Sequence, residues 1–252
     1  MIQRLLELIE CCTNSDELTD ALVEATLQMG FYKFALTHHV DLISTNPGAI
    51  RIHNYPDKWV DHYDRNALVF RDPVHRASHV TSIGFTWNRL PDMVYLTPAD
   101  QRMLDLGREQ GIGNGFTVPA HVPGEAHGSV SFVVETGSPL PDETLPIAQL
   151  VGVFAFEAAR RLCLPRGYRP AHRYPRLTDR QRDCVLWVAL GKSDGEIATI
   201  LGLSRETVTE HVGQACQRYD VNKRTSLITR TLFDGTITFT EVLRGRHPHF
   251  WG

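Results

Sequence analysis

No run in the sequence approaches the roughly 18 consecutive apolar residues that a membrane-spanning helix needs, so no membrane contact is expected. The opening MIQRLLELIECC is too short, and too acidic at Glu7 and Glu10, for a secretory signal. A cytoplasmic protein is expected. Cysteine is sparse and unpatterned: Cys11 and Cys12 are adjacent, while Cys163, Cys184 and Cys216 stand singly. Neither a Cys-x-x-Cys metal spacing nor a secreted-type disulfide framework is present. His38, His39, His121 and His127 lack acids at ligand spacing, and Ser129 and Ser131 sit in no Gly-x-Ser-x-Gly elbow. No glycine loop is built to cradle phosphate, and internal repeats are lacking. The chain is therefore expected to have no catalytic residues, no metal and no cofactor.

An overall positive charge is also missing. The formal net charge is −3, which taken over the whole chain argues against a nucleic-acid partner. That average conceals two unlike parts. From Arg166 to Leu232 there are 12 Lys or Arg against 7 Asp or Glu, a surplus of 12 − 7 = 5, so the remainder carries −3 − 5 = −8. DNA contact, if any, belongs to the C-terminal part. Apolar residues make up 42% and charged residues 22%, which is enough for real cores and excludes disorder of the whole chain. The 252 residues suit one domain of roughly 150 residues plus a smaller one.

The smaller domain, 176–233, is the more strongly marked, and it reads as four short helices. Thr178 and Gln181 form a Thr-x-x-Gln capping box that starts a helix at Asp179, and Ser193 with Glu196 forms a second box. Ile197, Ile200 and Leu201 then share one helical face. Gly202 supplies the positive φ that ends this helix, Leu203 plugs the corner and Ser204 caps the next helix. In that next helix Val208, Val212 and Ala215 turn inward, leaving Arg205, Glu206, Thr209, Glu210 and Gly213 outward. Two helices joined by a tight turn containing glycine lay the second in the DNA major groove. The candidate DNA-facing residues are thus Ser204, Arg205, Glu206, Thr207, Thr209, His211 and Gly213. Lys192, Arg218, Lys223 and Arg224 are candidates for phosphate.

Residues 1–163 read as an α/β/α sandwich on an antiparallel sheet. Ile2, Leu5, Leu6 and Ile9 predict one amphipathic helix, and Leu18, Ala21, Leu22, Ala25 and Met29 another, capped by Ser15 and stopped at Gly30. Strands are expected at Phe31 to Val40 and Ile50 to Asn54, on either side of the Asn46-Pro47-Gly48 turn. Pro56 and Asp72-Pro73 open short helices, Phe85 to Asn88 reads as a short strand, and Thr97-Pro98 starts a helix ending near Gly111. Strands Gly115 to His121 and Gly128 to Glu135 flank Val122-Pro123-Gly124, and a long helix runs from about Asp142 to Cys163. The stretch 164–175, rich in proline and arginine, reads as a linker. The extension 234–252 reads as a loosely attached tail, in which Ile237, Phe239 and Val242 hint at a strand.

The run LTDRQRDCVLWVALGKSDGEIATILGLSRETVTEHV resembles the DNA-binding domain of LuxR-type transcription factors through Gly191, Glu196, Ile197, Ala198, Leu201, Ser204, Thr207, Val208 and His211. Gln181 stands where that family usually has Glu, and it still closes the capping box. YPDKWVDHYDRNALVFRDP, Trp87, GIGNGFTVPAH and GSVSF resemble the autoinducer-binding domain of the same family. The resemblance implies an N-acyl homoserine lactone bound between the sheet and one helical layer. Trp59 would donate to the lactone carbonyl, Asp72 would accept the amide N–H, and Tyr55 and Ser131 would meet the acyl carbonyl. Tyr63 and Trp87 would form walls and Pro73 would set the turn, while Leu36, Met103 and Phe116 would shape the space for the acyl group. A buried Asp72 carboxylate costs several kcal/mol unless paired or hydrogen-bonded, so a domain without ligand is expected to be unstable. Implied partners are the autoinducer, a second copy of the chain, inverted-repeat double-stranded DNA and RNA polymerase.

Other readings differ in their marks. A receiver domain would need a parallel βαβ pattern, which the paired strands contradict. A lactone-hydrolysing enzyme with a DNA-binding module would release ring-opened product. An orphan regulator of the same architecture would answer another small molecule or none. The acyl group, the operator and the sign of regulation are left open.

Overall fold

In a computed structural model, residues 2–40, 49–122, 126–163 and 175–243 are described. They form two compact units, one within 2–163 and one within 175–243. The Asn46-Pro47-Gly48 turn, Pro123 and Gly124 of the Val122-Pro123-Gly124 turn, nearly all of the 164–175 linker and the aromatic end of the tail lie outside the described residues.

The first unit is a five-stranded antiparallel sheet between two helical layers. Its strands are β1 (Lys33–His38), β2 (Arg51–His53), β3 (Phe85–Thr86), β4 (Gly115–Ala120) and β5 (Gly128–Val133), in the order β2-β1-β5-β4-β3. The register pairs Ala35 and Thr117 with Ser131, and Leu36 and Val118 with Val130. Directly paired residues share a face of the sheet. One face, with Phe34, Leu36, Phe116, Val118, Val130 and Phe132, packs on α1 (Ile2–Glu10), α2 (Ser15–Gln28) and α7 (Leu145–Cys163) in the main core. A Cβ at Gly152 of α7 would come within 2.8 Å of the Val118 side chain, so glycine lets that helix lie against the sheet. The other face carries α3 (Asp57–Arg65), α4 (Pro73–Ser78), α5 (Leu90–Met93) and α6 (Pro98–Glu109) with two smaller cores.

Local details differ from expectation in two places. The cap of α2 is Asn14, whose side chain accepts from the Glu17 amide, because Ser15 already has helical geometry. The strand at Phe85 is two residues long and passes into a 3-10 turn, Trp87–Arg89, whose tryptophan faces the sheet.

The second unit holds α8 (Asp179–Ala189), α9 (Asp194–Leu201), α10 (Arg205–Arg218) and α11 (Arg224–Phe233) around Val185, Ile197, Val208, Val212 and Leu227. Both capping boxes form with reciprocal bonds, and Gly202 adopts φ +65° at the end of α9. The amide and hydroxyl of Ser193 together with Lys192 hold the Glu196 carboxyl down to about 2.

The start of the extension is neither loose nor a strand. Phe239–Leu243 is a helix, α12, opened by Thr238, whose hydroxyl accepts from the Glu241 amide while Glu241 accepts from the Thr238 amide. Ile237 is fully buried in the core of this unit. Thr238-x-x-Glu241 is a capping box of the same kind as the two upstream, and it was the available signal for a helix here.

Candidate functional site

A cavity of about 360 Å³ lies between the sheet and the layer of α3 and α4. Its lining includes Tyr55, Trp59, Tyr63, Asp72, Trp87, Met103 and Ser131, residues drawn from β5, α3, α4's cap, α6 and the loops between them. Trp59 is 7% exposed and packs with Met103, Ile112 and Val133, and Gly107 of α6 passes close to its ring.

Asp72 is the polar centre of this space. Its Oδ1 accepts the Val74 amide at 2.8 Å as the cap of α4, and its Oδ2 accepts the Tyr63 hydroxyl at 2.9 Å. Pro73 occupies the first helical position, where its fixed φ suits the turn. The expected instability of a ligand-free domain is not supported, since these bonds already satisfy much of the carboxylate's demand. Burial, followed by the nearby Asp72 carboxylate, pushes the phenols of Tyr55 and Tyr63 upward, so both remain hydrogen-bond donors at neutral pH. The Tyr55 hydroxyl and the Trp59 indole N–H have no hydrogen-bond partner among the described residues.

Ser131 is engaged with Thr117, a residue that sequence reasoning missed. The Trp87 indole donates to the Thr117 hydroxyl at 2.8 Å, and the Thr117 and Ser131 hydroxyls lie 2.8 Å apart. Only alternation along β4, with its cross-strand register, could have pointed to Thr117. The same alternation corrects Phe116, which faces α7 in the main core and does not line the cavity. Leu36 borders the cavity from within β1 but likewise belongs to the core on the α7 side.

Beside Asp72 lies a group of histidines from four segments. His39 stacks on His75 with ring centroids 3.7 Å apart, and its Nδ1 is 2.8 Å from His79 Nε2 and its Nε2 2.9 Å from the Ser129 hydroxyl. His121 Nε2 faces the carbonyl oxygens of Ser78 and Thr81, so it carries a proton, and its Nδ1 is 3.0 Å from His127 Nδ1. Among the described residues no such group has the geometry to hold a metal ion. Burial, then neighbouring histidines, lowers His39 well below its ordinary value and His79 to about 4.

Unfolded, these rings titrate near 6.5, so between pH ~6.5 and ~4 the unfolded chain binds protons that the fold excludes. Stability of the first unit therefore falls as pH drops through that window. Its melting temperature should decline from about pH 7 to about pH 5, and His79→Gln should flatten the decline. An equal slope in that variant would show that His79 is not the cause.

In the second unit, Arg205, Glu206, Thr209, Glu210 and Gly213 are exposed along α10. Thr207 bonds the capping Ser204 hydroxyl at 2.9 Å, and His211 is half-buried with Nδ1 unpartnered among the described residues. The candidate cations are not equivalent. Arg224 forms a bidentate pair with Asp194, which also accepts the Thr209 hydroxyl at 2.7 Å, tying α9, α10 and α11 together. Arg218 donates to the Arg176 carbonyl and Lys192 pairs with Glu196. Arg205 and Lys223 make no side-chain hydrogen bond or ion pair among the described residues.

A buried, aromatic-lined cavity in one unit and a helix-turn-helix in the other define a regulator that senses a small molecule. Residues 14–159 match the autoinducer binding domain, and residues 175–231 match the bacterial regulatory proteins of the luxR family. The chain belongs to the luxR family of bacterial regulatory proteins. It is similar to the transcriptional activator protein AhyR of Aeromonas hydrophila, 30% identical over 93% of this chain and 92% of that protein. LuxR of Aliivibrio fischeri is 26% identical over 93% and 94%. Among solved structures, Escherichia coli SdiA shares the fold with a TM-score of 0.66 at 22% identity, over 94% of this chain and 97% of that one. SdiA in complex with octanoyl-rac-glycerol gives 0.67 at 22% identity, over 94% and 95%. The chain is thus an autoinducer-binding transcriptional regulator, not an enzyme, and its small molecule is a signal ligand, not a cofactor. Among the described residues no helix is long and apolar enough to cross a membrane.

Proposed function

We propose that the cavity binds an N-acyl homoserine lactone and that the liganded protein, as a homodimer in the cytoplasm, binds an inverted repeat in promoter DNA. The observation that carries the first part is the set of directed polar groups in an otherwise largely apolar space. The unpartnered Trp59 N–H meets the lactone carbonyl, and the unpartnered Tyr55 hydroxyl meets the acyl carbonyl with Ser131 beside it. Asp72 Oδ2 accepts the amide N–H with its remaining lone pair, while Tyr63 and Trp87 wall the ring.

Ligand bound only by the folded state stabilises it by mass action, about 2.7 kcal/mol at a hundred times its dissociation constant. A homodimer sets two copies of α10 against half-sites about one helical turn, or a multiple of it, apart. Arg205, Thr209 and Gly213 face bases, Lys223 and Lys192 face phosphate, and Arg224 acts through Asp194. RNA polymerase is the partner through which the bound dimer would act.

A second reading is favoured by one neighbour of this fold, SdiA in complex with octanoyl-rac-glycerol: the cavity answers an acylated molecule other than a lactone. A thermal-shift panel of homoserine lactones with short, long, branched and aryl acyl groups, together with octanoylglycerol, separates the two. Lactone-specific shifts support the first reading, and shifts from octanoylglycerol alone replace it with the second. For DNA, affinity for an inverted repeat should exceed that for one half-site; equal affinities would rule out the dimeric mode.

A further inference from the structure

Beyond Asp72 the cavity changes character. Neighbouring ring centroids link Trp59 to Tyr63 at 6.1 Å, Tyr63 to His75 at 6.3 Å and His75 to His39 at 3.7 Å. With the lactone at Trp59 and the amide at Asp72 Oδ2, His75, whose Nε2 is 3.9 Å from that oxygen, is left beside the acyl group. The wall there is made by Thr37, Val40, Val74 and His75, backed by His39 and Ser129.

His75 is 9% exposed and lines the cavity, yet neither ring nitrogen is well satisfied. Nδ1 lies 3.4 Å from the Tyr63 oxygen, whose proton is committed to Asp72, and Nε2 lies 3.9 Å from Asp72 Oδ2, beyond hydrogen-bond reach. By contrast His39, stacked behind it, has partners on both nitrogens. A plain alkyl chain laid on this wall would leave His75 Nε2 buried without a partner, which is unfavourable. A hydroxyl both donates and accepts, so it satisfies Nε2 in either tautomer of the ring.

We propose that His75 marks a hydrogen-bonding subsite for the acyl group, and that the signal is an N-acyl homoserine lactone carrying a hydroxyl where its chain passes His75. This rests on the lactone reading of the same cavity. The histidine stack holds His75 in place and sets the distance at which the hydroxyl must sit. His75 is thus a specificity-determining residue, separate from the groups that hold the lactone and amide.

The test is direct titration of the full chain with matched lactones differing by one hydroxyl. Hexanoyl is compared with a series hydroxylated at successive carbons, and phenylpropanoyl with its para-hydroxy form. At least one hydroxylated lactone should bind about tenfold more tightly than its parent. In His75→Leu the order should reverse, with the parent preferred. The wild-type comparison decides the matter even where that variant fails to fold. Parents binding as tightly as every hydroxylated partner would overturn the subsite and leave the lactone reading standing. No binding by any lactone would overturn both.

Discussion

Asp72→Asn is expected to lower lactone affinity about ten- to a hundredfold while the first unit stays folded. The two oxygens of Asp72 have different duties. Oδ1 caps α4 through Val74, and an asparagine carbonyl serves that duty equally well. Oδ2 accepts the Tyr63 hydroxyl and, in the proposed complex, the ligand amide N–H. An amide nitrogen there turns an acceptor into a donor facing two donors. A hydrogen bond to a charged group contributes about 1.5–3 kcal/mol, so losing the one made to the ligand lowers affinity about ten- to a hundredfold, while the bond from Tyr63, present with and without ligand, is lost from both states. Asp72→Ala should add the loss of the cap, about 0.5–2 kcal/mol of stability, and so confuse binding with folding. Comparing the melting temperature of each free variant with its ligand titration separates the effects. Wild-type affinity in the asparagine variant would remove Asp72 from the ligand site.

Truncation after Phe233 is expected to abolish DNA binding by unfolding the second unit. This segment is part of that unit's core: Ile237 is fully buried, and the buried Tyr219 hydroxyl bonds both Asp234 and Thr236 at 2.7 Å. Arg182 of α8 reaches the Thr236 carbonyl at 2.9 Å and pairs with Glu241 of α12. Removing a buried isoleucine costs about 2–5 kcal/mol, and the two hydrogen bonds that the Tyr219 hydroxyl makes to this segment contribute about 0.5–1.5 kcal/mol each. A domain of this size has little more than that in reserve. Calorimetry of the full chain should resolve a transition for the second unit that the truncated chain lacks. Ile237→Ala should show an intermediate loss. A truncated chain that binds operator DNA with unchanged affinity would return 234–243 to the status of a tail.

The helix-turn-helix was legible almost residue by residue, because its determinants act over three or four positions. The boxes Thr178-Gln181 and Ser193-Glu196, the corner at Gly202 and the stripe Val208, Val212, Ala215 all needed only neighbours along the chain. A lapse of the same local kind, taking Ile237, Phe239 and Val242 as a hint of strand, came from following apolar alternation past a capping box. At the cavity, family likeness supplied Trp59, Asp72 and Ser131, but the facing of residues was a different matter. Phe116 and Thr117 are adjacent, and which of them shares a sheet face with the cavity residue Ser131 depends on β4 pairing with β5 in one register and not the next.

By itself, then, the sequence determined two domains, the boundaries and caps of the helix-turn-helix, the outward face of α10 and the Asp72-Pro73 start of α4, all consequences of short-range hydrogen bonding and periodicity. Tertiary structure alone decided the strand order β2-β1-β5-β4-β3, the placing of Thr117 behind Trp87 and Ser131 while Phe116 enters the main core, the pairing of Arg224 with Asp194 and the histidine stack. His39 meets Ser129 across 90 positions of chain, and Arg224 meets Asp194 across 30. Such contacts arise when apolar faces are buried against one another, and no spacing along the chain encodes them.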